Sequence, residues 1–177
     1  LLAFGAIALG MSFQVLLPAF VVEAIADDPR ALGILLASAG VGGLAGSLGL
    51  AAIGGSRHKG PMMVGCILLW AVALLGFSLS RNLILALVML LIVGFATSAF
   101  LSLNMAILQL LSVAKMHGRV MSISMMTWGM MPLGAIPISI LAERIGSTPN
   151  ALASAAIIMF AVALLFPLLN QTVRRLD

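Results

Sequence analysis

The chain has 177 residues, 63% of them hydrophobic and only 8% charged, with a formal net charge of +4. A soluble domain carries about 25% charged residues, so a water-facing globule is excluded and lipid must be the solvent for most of this surface. The basic residues are too few, too scattered and too far from aromatic residues for a nucleic-acid partner, and the single cysteine, Cys66, excludes an internal disulfide or a cysteine-rich metal site.

A helix needs roughly 20 mostly apolar residues to cross the hydrocarbon core. Six stretches qualify, at about residues 2–24, 31–54, 61–79, 83–111, 120–141 and 151–170. No run of short alternating segments suggests a barrel. The expected fold is all-α: one bundle of six transmembrane helices over residues 1–177, with no soluble domain attached. The chain starts at Leu1 directly in apolar sequence, with no basic segment ahead of it. A signal peptide is therefore not read there, and the expectation is a segment with further sequence upstream.

Span one holds Gln14 at membrane depth and Glu23 at its outer edge. Glu23 is read as a solvated interface residue, with proton coupling as the functional alternative. Span two contains "GVGGLAGSLG", in which Gly42 and Gly46 form a small-xxx-small pattern that lets a second helix come close. That pattern serves static packing, or a smooth surface on which two halves rock or gate. Arg57, His58 and Lys59 follow it, and Arg81 follows span three.

Span four carries Asn104 and Gln109. An amide in hydrocarbon wants a partner or water, so Gln14 and Asn104 either bond another helix or line a cavity that meets substrate. Gln109 is close enough to the span end to fix the next loop. Lys115, His117 and Arg119 then form a basic turn. Span five has Gly129, Pro132, Gly134 and Pro137, which should bend or break it. Met121, Met125, Trp128 and Pro132 share one face at helical spacing, with Met131 beside it. Methionine is adaptable, so this face suits either varied cargo or plain lipid-facing filler. Trp128 and Met131 join Gln14 and Asn104 as substrate-cavity candidates. Glu143 and Arg144 fall in the last loop, and Arg174 and Arg175 follow span six.

Lys and Arg favour the cytoplasmic side. Arg57, Lys59, Lys115, Arg119, Arg174 and Arg175 stand against Arg30, Arg81 and Arg144 on the other set of loops. That bias places both ends of the segment in the cytoplasm of a multi-pass protein of the inner membrane. "LAAIGGSRHKGP" after span two echoes "LAERIGSTP" after span five, as a three-plus-three inverted repeat would.

Catalysis has no support. An intramembrane protease needs a base at depth, and both His58 and His117 lie in expected loops. No phosphate-binding lysine motif, zinc motif or paired intramembrane Asp is present. The chain is read as a non-enzyme with no cofactor and no metal.

The stretch "GRVMSISMMTWGMMPLGAIPISILAERIG", preceded by "NMAILQLL", resembles the C-terminal half of a major facilitator superfamily transporter. Gly118-Arg119-Val120-Met121-Ser122 followed by Pro132-Leu133-Gly134 is similar to the drug and siderophore exporter group that includes the enterobactin exporter. The resemblance implies a twelve-helix parent, a partner half of six helices, and alternating access around a cavity bordered by spans one, two, four and five. The family's cytoplasmic loop signature is degraded between Gly49 and Lys59, where its Asp is missing. Lys115 and Arg119 would anchor a cytoplasmic loop and join an inner gate, with Arg57 a weaker candidate. The expected function is proton-driven export of small apolar or amphiphilic molecules. An importer of the same fold and a non-transporting scaffold or receptor are the alternatives. Membrane lipid and a small-molecule substrate are the expected partners.

Overall fold

The computed structural model describes residues 10–25, 29–53, 59–111 and 131–169, with isolated positions 118, 122 and 125. Within them the chain is all helical. Helix α1 (Ser12–Phe20) runs on into a π-helical turn (Val21–Ile25). It is followed by α2 (Pro29–Ile53), α3 (Lys59–Ser78), α4 (Leu83–Leu111), α5 (Met131–Ile145) and α6 (Thr148–Leu169). Three stretches are long and apolar enough to cross a membrane by length and composition: Arg30–Ala52, Gly60–Ser78 and Leu83–Gln109. The apolar stretches described in α1 and α6 are shorter, Phe13–Glu23 and Thr148–Leu164.

Several boundaries differ from the hydropathy reading, each for a local reason. Helix α2 starts at Pro29, because proline's fixed φ suits a first helical position. Helix α3 takes in Lys59, with Pro61 in its first turn, where no intrahelical donor is lost. Helix α5 continues through Glu143 and Arg144 to Ile145, so these two charges end a helix and do not form a loop. A cation there complements the carbonyl end of the helix dipole. Of the expected bend or break, the helix does not end at Pro137, and α5 passes through this exposed proline as α-helix.

The most extensive pairing is α2 on α4. Gly42 of α2 lies against the Leu91 carbonyl and Gly46 against the Phe95 carbonyl. Gly94 of α4 lies against the Ala39 carbonyl in return. A Cβ at any of the three would collide with a backbone oxygen. The steps from Gly42 to Gly46 and from Leu91 to Phe95 advance together, so the two helices run in the same direction. That is required of helices separated by one intervening span. On the opposite face of α2, Ile34, Val41, Leu44 and Leu48 are exposed.

Helix α3 is the hub of the core. It packs on α4 and α6, and Trp70 and Phe77 on it are fully buried. Trp70 meets Phe100 of α4 with ring centroids 6.1 Å apart. Phe77 meets Phe20 of α1 at 4.4 Å. Such aromatic pairs contribute about 1 kcal/mol each beyond simple burial. Helix α6 packs on α5, and α1 rests on α5 and α6. Exchanging helices one to three with four to six turns α2–α4 into α5–α1, maps α3–α6 onto itself, and turns α3–α4 into α6–α1. The α5–α6 contact has no equally large counterpart between α2 and α3 among the described residues.

The close approach of α2 and α4 yields a direct prediction. Gly42→Val, Gly46→Val and Gly94→Val should each destabilise the full-length protein in detergent by roughly 1–3 kcal/mol, the usual cost of forcing atoms into a filled contact. Gly40→Ala, with open space around it, should not destabilise the protein and should add up to about 1 kcal/mol, the helix preference of Ala over Gly. Thermal unfolding followed by circular dichroism separates the two classes.

Candidate functional site

At one end of the bundle, the segment Ile145-Gly146-Ser147-Thr148-Pro149 turns α5 into α6. Gly146 takes φ 65°, a left-handed conformation that ends helices and favours glycine. Its N–H donates to the Ala142 carbonyl at 2.9 Å. The Ser147 carbonyl accepts the Ala151 N–H at 3.2 Å, which makes Ser147 the N-cap of α6. The first amides of a helix have no partner within it. Pro149 has none to offer, and the Thr148 N–H donates across the bundle to Glu23 Oε2 at 2.8 Å. Glu23 is exposed, and the π-turn at the end of α1 carries it to this position. A carboxylate at a helix N-terminus meets both the free N–H and the positive end of the dipole. The residue read as a solvated interface charge is thus also a tie between the first and last helices.

Gln14 lies on the exposed side of α1, which also carries Val15, Pro18 and Val22, while Phe13, Leu16, Leu17 and Phe20 are buried. Pro18 has no N–H to give to the Gln14 carbonyl. Gln14 therefore brings a side-chain amide and a deprived carbonyl to one open face. Asn104 is half-buried on α4. Among the described residues neither side chain has a hydrogen-bond partner, and no extended contact joins α1 to α4. The two amides sit on separate helices and are not brought together.

Gly42 and Gly46 are buried in the α2–α4 seam, so packing is the role their surroundings display. Pro132 and Met131 belong to the helical backbone of α5. Trp128, Arg57, Lys115 and Arg119 lie outside the described residues, as does the turn at 54–58 that begins the expected internal echo. Among the described residues no three potential metal ligands come together.

A family model described as transmembrane secretion effector matches residues 2–176. The chain belongs to the transmembrane secretion effector family. This family is of major facilitator type, which makes the chain a multi-pass membrane protein of a transporter family. No curated protein and no solved structure matches it. The sequence reading had no role for Thr148 or Ser147. A signal was there, since glycine followed by Ser-Thr-Pro marks a helix stop and a new start. What it lacked was the partner 125 residues away.

Glu23→Ala should remove the tie while leaving the apolar core intact. The expected cost is about 1 kcal/mol, as for loss of other helix caps. Hydrogen exchange of the amides at Thr148, Asn150 and Ala151 should quicken severalfold, with exchange in α4 unchanged. Equal protection of these amides in the variant would contradict the capping role.

Proposed function

We propose that the chain is a six-helix half of a secondary transporter that exports small apolar or amphiphilic molecules, of drug or siderophore type, by alternating access driven by the proton motive force. The match to the transmembrane secretion effector family over residues 2–176 carries this reading. Binding would shift a population between inward- and outward-open states, with no covalent chemistry. The exchange relation among helix pairs supports a three-plus-three inverted repeat, the architecture many transporters use to build a site at the repeat interface. The exposed stripe Ile34, Val41, Leu44 and Leu48 on α2 is apolar enough to face lipid or a second half. Gln14, Asn104, Trp128 and Met131 are the proposed cavity contacts, and Glu23 a candidate on the proton path. The proposed location is the cytoplasmic membrane of a bacterium, with both ends of the segment inside, where Arg57, Lys115 and Arg119 hold the inner loops.

The intact gene should lower accumulation of at least one dye, drug or siderophore in a panel tested in cells, and a protonophore should abolish the difference. Accumulation equal to an empty-vector control across the panel would count against export. Gln14→Leu and Asn104→Leu should each reduce that efflux roughly 2- to 10-fold, the value of one uncharged hydrogen bond, at unchanged protein level. Topology has its own check. In a Cys66→Ala background, single thiols introduced at Arg57 and Lys115 should react with an impermeant reagent from the same side of the membrane. Labelling from opposite sides would overturn the alternating six-span scheme.

A further inference from the structure

A cleft of about 300 Å³ opens where the end of α1, the α3–α4 turn and the start of α6 meet. Its lining is polar, in a chain with only 8% charged residues. Glu23 and Arg81 place opposite charges in it, joined by Ser78, Ser80, Ser147 and Asn150.

The chemistry of these groups is directional. Ser78 and Ser80 are 3% and 1% exposed. Each spends its hydroxyl proton on a backbone carbonyl, Ser78 on Leu75 at 2.8 Å and Ser80 on Phe77 at 2.6 Å. What remains on each oxygen is acceptor capacity. Glu23 accepts from the Thr148 N–H and is engaged by the Thr148 and Ser147 hydroxyls, and the two oxygens of an exposed carboxylate, with about four lone-pair sites, leave room for a further donor. The buried side of the cleft therefore suits a donor cation. The helix N-terminus beside it is not the anion seat, because Glu23 already occupies its first amide and Pro149 has none. The groups that can donate to an anion are the exposed Arg81 guanidinium and the exposed Asn150 amide. The depth is also defined. The apolar stretch of α3 ends at Ser78 and that of α4 begins at Leu83, so the cleft lies at the level of lipid headgroups.

We propose that this cleft binds a zwitterion with a primary ammonium at one end and a phosphate at the other, the ammonium on Glu23, Ser78 and Ser80 and the phosphate on Arg81 and Asn150. An ethanolamine phospholipid headgroup and free phosphoethanolamine share this chemistry. The volume is at the lower end of ordinary ligand pockets, which suits a group of this size. The site goes beyond the transport reading and is tested without measuring flux.

The test uses full-length protein in a nonionic detergent and acyl-labelled phospholipids read by fluorescence anisotropy. The ethanolamine lipid should bind about tenfold more tightly than acyl-matched choline and phosphoglycerol lipids, a difference of about 1.4 kcal/mol. Choline lacks the N–H donors and phosphoglycerol lacks the cation. Arg81→Gln should weaken ethanolamine-lipid binding about tenfold, as loss of a charge-assisted contact does. Arg144→Gln, which removes the same charge from the exposed end of α5, should leave it unchanged. Competition by free phosphoethanolamine would assign the site to the soluble zwitterion as well as the headgroup. A lipid preference that survives such competition would assign it to the lipid. Equal affinity for ethanolamine and choline lipids, or an Arg81→Gln variant that binds as tightly as wild type, would overturn the proposal.

Discussion

In hydrocarbon, two apolar helices gain nothing by hiding from the solvent, so close backbone contact must hold them together. The α2–α4 seam is where this chain meets that demand. Gly42, Gly46 and Gly94 each face a carbonyl of the opposite helix, and no residue with a side chain could occupy these positions at this separation. Dispersion attraction falls off within fractions of an ångström, so the missing Cβ atoms matter through the contact they permit. The seam also sets direction, since matched steps on the two helices advance together. With α2 and α4 parallel, α3 between them in sequence must return across the bundle, and its aromatic residues meet the core. Trp70 on Phe100 and Phe77 on Phe20 then attach α4 and α1 to the same hub.

Helix ends pose the second demand, because backbone donors cannot be left bare near lipid. Three of the described ends are satisfied with few residues. Asn82 Oδ1 accepts the Ile84 N–H at 3.0 Å and starts α4. Gly146 closes α5, and Glu23 receives the first amide of α6. The last of these is long-range. It ties α1 to α6 by a charge-assisted bond where the apolar packing between them is modest. The charged end that results is chemically unlike the apolar helices it caps, and the polar cleft forms there.

For a transporter these two kinds of contact divide the labour. The glycine seam holds α2 against α4, and separating them would forfeit the dispersion contacts that the missing Cβ atoms permit. The face of α1 around Gln14 and Pro18 belongs to neither contact and is exposed, with Val15 and Val22 beside the one amide.

Much of this was legible from residues alone. Composition and the spacing of charges dictate six helices, because lipid tolerates no unpaired backbone and few charges. The Leu83–Leu111 helix was legible to the residue, since an uninterrupted apolar run has only one way to satisfy its backbone. The spacing of Gly42 and Gly46 announced a close approach, though not to which helix. Ends set by proline and charge were blurred, because hydropathy averages over the single turn in which a cap acts. Partnership was settled only by the tertiary structure. Gly94 faces Ala39, and Glu23 reaches Thr148 across 125 residues, because such pairs depend on how helices lie side by side. A linear pattern records which face of a helix is small or polar, and the neighbour that fills it is chosen by packing.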